Sequence, residues 1–410
     1  MKHILFIVCL FILTTGATQS SARMEAMKLL QDGDVKRHFG NWEDALELYT
    51  NAINTDRGLA TAYMKRARLY QEMGQFKNSI DDYNQAIAIN PLSEIAYDQR
   101  AAVKVLSNDY IGAIKDVEEA LKLNPSSSTL RAKLIDDYLL VKDFKQAMQV
   151  IDSLSYPDSL KEMFDYKKVM VLTEEGKLKK AENLLADLLS KNPEGTGYNL
   201  LGIIKMKQGD LENASNYFGK AIEMNKELDI AYYNKALVEH KLGNTNLAQG
   251  LLDSALFINA KNENIYFRRA IFKKEAGDYP GALKDYNAAI MIDSNYKYAI
   301  YNRIYTKKML GNYSEALIEI EDLIEEDNTQ PEFWNLKGSI HVLFGEHFKA
   351  VEAFTEAISL DGNYAEAYHN RGIAYVMSYR PVQGCQDLQY AFNFLNYTKS
   401  EEVMDAFCGF

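Results

Sequence analysis

Between Glu263 and Tyr296 the chain carries two successive patterns of helical period. Tyr266, Ala270 and Lys273 fall four and three apart in the first, and Ala282, Tyr286 and Ala289 repeat that spacing in the second. Gly277 and Asp278 break the pattern between them. Pro280 falls where the first turn of a second helix accepts it, because the N–H it lacks would be unpaired there anyway. The spacing predicts a helix, a tight turn and a second helix, with an apolar face that one hairpin cannot bury alone.

The same pattern recurs along the chain. Gly277 has counterparts at Gly40, Gly74, Gly176, Gly209, Gly243, Gly311 and Gly345, at multiples of 34 apart from one interval of 33. Ala282 corresponds to Ala45, Ser79, Ala113, Ala147, Ala181, Ala214, Ala248, Ala316, Ala350 and Gly384. Four places later a bulky apolar residue stands in every unit, from Tyr49 and Tyr83 to Phe354 and Leu388. Eleven helix–turn–helix units follow, starting near 26, 60, 94, 128, 162, 195, 229, 263, 297, 331 and 365. Below, a residue's place is counted from the start of its unit, and the two helices of each unit are A and B.

With Tyr266, Ala270, Ala282, Tyr286 and Ala289 in those places, the chain resembles the tetratricopeptide repeat (TPR) family from about Ala26 to Tyr397. The resemblance implies an all-α fold, a right-handed α-solenoid of about eleven TPR repeats over 26–398. A capping helix over 399–410 covers the last exposed face. Such a solenoid grows without closing one core, so one elongated domain is expected.

Three units depart from the pattern. The A-helix small residue becomes Ile135, Val169 and Ile304 in the fourth, fifth and ninth units, and the last small residue of helix B becomes Leu154, Leu188 and Leu323. Two added side chains cannot share a space shaped for Ala against Ala, so A and B are expected to stand further apart there. Pro157 ends or kinks a helix between the fourth and fifth units, which makes 126–193 the expected bend or soft point.

The chain has 410 residues, 47% of them hydrophobic and 25% charged, an ordinary globular balance. Its first residues combine Lys2, an apolar run from Ile4 to Leu13 and small residues from Gly16 to Ala22. That is a secretory signal-peptide pattern (1–22), with cleavage after Ala17 or Ala22, and the run is short for a membrane span. An uncleaved N-terminal anchor is the alternative. The expected location is therefore periplasmic or secreted, with no membrane insertion once the signal is removed. Losing Lys2 takes the net charge from -11 to -12, which argues against nucleic acid as a partner. Much of that charge lies in 315–327, EALIEIEDLIEED, read as a solvated outer helix face. The two remaining cysteines, Cys385 and Cys408, form an even count in an exported chain, consistent with a disulfide tying the tail over the end of the array. Many exported TPR proteins likewise carry a cysteine in each of the final two helices. Two buried free thiols are the alternative.

No phosphate loop, dinucleotide fingerprint, HExxH or CxxC is present, and the histidines show no metal-ligand spacing. The expected protein is non-enzymatic, with no cofactor and no metal.

A second stripe on helix A, at places 2, 5, 9 and 12, lies beside the packing stripe. In the seventh to ninth units it carries Tyr233 and Leu237, then Phe267, Ile271 and Lys274, then Tyr298, Tyr301, Tyr305 and Lys308. In the TPR family this stripe usually lines the concave groove. Aromatic anchors with basic neighbours suit a protein or extended peptide that has apolar side chains and some acidic character. Packing between successive A helices is an equal alternative for these residues. The Lys-and-Asn set by which some TPR proteins clamp a C-terminal carboxylate is missing, because places 5 and 9 never read Lys then Asn. A structural or assembly role in a cell-envelope complex and a glycan-binding surface are the other readings.

Overall fold

The computed structural model describes residues 2–153 and 158–409, with side chains over 20–153 and 160–409. Leu154 and Pro157, invoked above for the spacing of the fourth unit and for a kink, lie outside the described residues, as do most side chains of the signal-peptide segment. Among the described residues every regular element is a helix, and the helices pair as A and B of successive units. A helices of 13 residues such as Glu263–Glu275 alternate with B helices of 14 such as Tyr279–Ile292. Departures include Lys2–His38, where 37 residues run unbroken from the N-terminal segment into the first A helix, and the 17-residue Asp158–Glu174. No described helix is long and apolar enough to cross a membrane. The chain divides into two compact units, Met1–Pro193 and Glu194–Phe410. The division falls at the end of the stretch 126–193.

The turn explains the punctuation. Gly277 has φ +81°, a left-handed conformation that costs glycine nothing. The N–H groups of Gly277 and Asp278 return to the carbonyls of Lys274 and Lys273 at 3.0 and 2.9 Å, closing helix A. Asp278 then caps helix B by accepting from the Gly281 N–H, with Pro280 in the first turn. At the same place the third, fourth and eleventh units put Asn108, Lys142 and Tyr379 into that conformation, with φ of 62°, 58° and 60°.

Within each unit the bulky residue of helix B fills the space left by the small residue of helix A. Tyr49, Tyr83, Phe218, Tyr286 and Phe354 are fully buried in this way. In the sixth unit a Cβ on Gly202 would come within 2.5 Å of the Phe218 ring, so only glycine admits the ring at that distance. Where both small sites enlarge, the helices draw apart. The A–B pairs of the fifth and ninth units have a sparser backbone approach than those that keep both small residues, and Val169, Leu188, Ile304 and Leu323 are all buried.

A charged ladder runs alongside this packing. Arginine at place 7 chelates an acid at place 23 of its own helix B: Arg66 with Asp82, Arg100 with Asp116, Arg269 with Asp285, Arg371 with Asp387. Arg303 bonds Glu319 through one nitrogen. Each arginine also reaches the preceding B helix, at Thr50, Asn84, Asp253, Thr355 and Asn287 respectively. The spacing of sixteen residues was present in the sequence, but charges are usually placed in solvent, and these acids are mostly buried.

At the C-terminus the final helix Lys399–Phe407 docks on the last unit. Cys385 and Cys408 are joined, with Cα atoms 5.7 Å apart, and His369 Nδ1 lies 2.9 Å from Ser400 Oγ.

Candidate functional site

The stripe at places 2, 5, 9 and 12 divides into packed and open positions. Leu237 and Ile271 pack against the core shared by the seventh and eighth units, and Tyr233 lies at its edge. Phe267 packs on the neighbouring cluster, its ring 5.0 Å from that of Tyr296 and 5.9 Å from that of Tyr286. Tyr301 and Tyr305 pack beside the core of the ninth and tenth units, and the Tyr301 ring stacks on Phe333 at 5.7 Å. Burial pushes the Tyr301 hydroxyl up to about 12. Tyr298 is the most open of the set, 74% exposed.

Two clefts open at the N-terminal ends of consecutive A helices. The larger, about 400 Å³, is lined by Tyr298, Tyr301 and Asn302 of Lys297–Met309 and by Gln330, Glu332 and Phe333 at the next A helix. The smaller, about 240 Å³, has the same construction from Ile230, Tyr233 and Ile265. Each is therefore floored by places 2 and 5 of one helix and by place 3 of the next. Sequence reasoning missed place 3, which is Ala in many units. Its enlargement to Ile265 and Phe333 was the available signal.

The two basic residues of the stripe come together around one ring. Lys274 Nζ lies 5.4 Å from the Tyr305 centroid and donates to Asn302 Oδ1 at 2.9 Å. Lys308 Nζ lies 4.6 Å from the same centroid and donates to Ser339 Oγ at 3.3 Å. Burial lowers the pKa of both. Other polar residues of the face make internal bonds. His240 stacks on Phe272 at 3.8 Å and meets Glu275 at 2.7 Å. Asn234 and Asn370 each donate 3.0 Å to an asparagine of the preceding A helix, Asn199 and Asn335. Among the described residues no His, Cys, Asp and Glu side chains gather to hold a metal ion.

Hairpins stacked in register, with one small-against-bulky contact per unit and an open face on the A helices, define a helical repeat protein of the kind that presents an extended surface. Tetratricopeptide repeat family models match residues 60–91, 196–228, 274–340 and 331–364. The chain is a tetratricopeptide repeat protein. No curated protein sequence matches it. Among solved structures it is similar to a tetratricopeptide repeat protein from Parabacteroides merdae, with 20% identity and TM-score 0.48 over 60% of this chain and 97% of that one. It is also similar to yeast Tom70, with 14% identity and TM-score 0.40 over 93% and 95%. A third similar structure is YrrB, described as a TPR protein with an unusual peptide-binding site, with 20% identity and TM-score 0.38 over 47% and 99%.

Proposed function

We propose that the protein is a non-catalytic scaffold that holds an extended segment of another protein on the A-helix face of its seventh to tenth units. The observation that carries this reading is the cleft of Tyr298, Tyr301 and Phe333. Phe333 and the half-buried Tyr301 build its wall, while Tyr298 stands in solvent. Aromatic side chains fixed at the edge of a cleft supply large contact area at little entropic cost. The similar cleft at Ile230 and Tyr233 offers a second pocket for the same chain.

The Cys385–Cys408 pair and the N-terminal apolar run support export to an oxidising compartment. The decisive experiment is affinity capture from that compartment with the wild type beside a Tyr298→Ala, Ile230→Ser double variant. Both residues are exposed, so the fold tolerates the change. Loss of a captured protein at unchanged melting temperature is expected, and undiminished capture would overturn the proposal. An assembly role through the opposite face has one observation of its own. Phe257 and Met291 occupy the same place on neighbouring B helices and are 92% and 88% exposed. Capture lost in Phe257→Ser, Met291→Ser and retained in the first variant would favour it.

A further inference from the structure

We propose that Lys274 and Lys308, both within cation–π range of the Tyr305 ring, form a subsite for an acidic side chain of the bound segment. This deepens the groove reading and rests on it.

Three observations converge. First, the bonds of both lysines go to neutral partners only. Neither lysine has a carboxylate at ion-pair distance among the described residues; their partners are the neutral Asn302 and Ser339. The contrast within the same helices is direct. Lys273 meets Asp285 at 2.8 Å, and Lys307 meets Glu315 and Glu319 at 2.7 and 2.8 Å. Adjacent lysines one residue apart thus split into a paired column and an unpaired one, in a chain whose net charge is -11.

Second, the unpaired column is partly desolvated and its two members lie near one ring. Both ammonium groups lie within cation–π range of Tyr305. An anion reaching both would replace the water each has lost. The nearest acids acting on them, Glu275 and Glu366, do so only at longer range.

Third, the pair adjoins the cleft. Asn302 lines the Tyr298–Tyr301 cleft and also accepts from Lys274. Tyr301 and Lys308 are seven positions apart on one helix, an axial rise of roughly 10 Å, which an extended chain covers in about three residues. The bound segment is therefore expected to carry an apolar side chain with an acidic one about three residues away.

Two probes test this. Glycine–serine decapeptides carrying Phe at the fourth position and Glu, Gln or Lys at the seventh are titrated by fluorescence polarisation. Lysine-labelled protein is separately titrated with succinate and followed by NMR at the ε-carbons. The protein is the full chain, beside Lys274→Met, Lys308→Met, which keeps the side-chain stems against Tyr305. The Glu peptide should bind about tenfold or more tightly than the Gln peptide, and the double variant should lose that preference. Succinate should shift the Lys274 and Lys308 signals saturably. Shifts without peptide binding would overturn the groove reading and leave the lysine pair standing as an anion site. Peptide binding with no Glu preference would overturn the subsite and leave the groove. No shift and no binding would overturn both.

Discussion

Arg269 grips Asp285 through two hydrogen bonds of 2.8 and 2.6 Å, and it reaches Asp253 on the preceding B helix at 2.6 Å with its remaining nitrogen. Asp285 is 1% exposed and also accepts from Lys273. Removing one partner of such a pair strands a buried charge. Asp285→Ala is expected to destabilise the second compact unit by roughly 3–5 kcal/mol, and Arg269→Met with Asp285→Leu by much less. Chemical denaturation of the single and double variants measures the difference. Equal losses in the two would refute the assignment.

Asp137 is a buried acid without such a grip. Its Oδ2 has no hydrogen-bond partner, and burial raises its pKa to about 6. The folded state holds this proton more tightly than the unfolded chain, so stability falls as pH rises from about 4 to about 6. Asp137→Asn should therefore stabilise at pH 7 by on the order of 1–2 kcal/mol and gain little at pH 4. Melting curves at the two pH values decide the point.

Tyr379 stands in a left-handed conformation, 95% exposed, where most units place glycine. Relief of that strain is worth about 1–2 kcal/mol, and the added freedom of glycine in the unfolded chain returns up to about 1 kcal/mol. Tyr379→Gly and Lys142→Gly should each raise stability by up to about 1 kcal/mol, whereas Gly277→Tyr should lower it. A thermal melt in which Tyr379→Gly is the less stable protein would show that the side chain contributes a contact.

The tail helix is held by a covalent tie and by a titratable contact. Burial lowers the pKa of His369, which sits against Ser400 and 5.1 Å from the Tyr397 ring. A depressed histidine stabilises the fold above its unfolded value near 6.5, and that contribution is lost as pH falls below it. Cys385→Ser should make the tail more sensitive to limited proteolysis, and the sensitivity should grow as pH drops from 7 to 5. His369→Gln in the same background should flatten the pH dependence.

Much of this architecture was legible in the sequence because its determinants repeat. Ala270, Tyr286 and Gly277 have counterparts in unit after unit, and periodicity turns a weak local preference into a strong signal. The wider spacing of A and B in the ninth unit was also readable, since Ile304 and Leu323 enlarge together. The stripe was less so. Tyr233, Leu237, Phe267, Ile271, Tyr301 and Tyr305 share a helix face with Tyr298, but how much of each a neighbouring helix covers depends on place 3 of that neighbour, which no single helix encodes. The arginine ladder escaped because a charged residue in sequence says nothing of burial until its partner sixteen residues away is identified.

The ladder also bears on how the molecule comes apart. Each arginine at place 7 fastens its own hairpin and the helix before it, so a unit that opens breaks a bond belonging to its neighbour. Loss of one rung is therefore transmitted, and two or three units melt as a block where rungs are consecutive, as at Arg66 and Arg100 or at Arg269 and Arg303. From the fourth to the seventh unit the full rung is absent, and place 7 there holds Leu134, Lys168, Leu201 and Lys235. Of these, Lys168 keeps the bond to the preceding B helix, at Asp152, without the one to its own, and amide protons of the fourth and fifth units should exchange through smaller openings, ahead of the rung-linked second and third units.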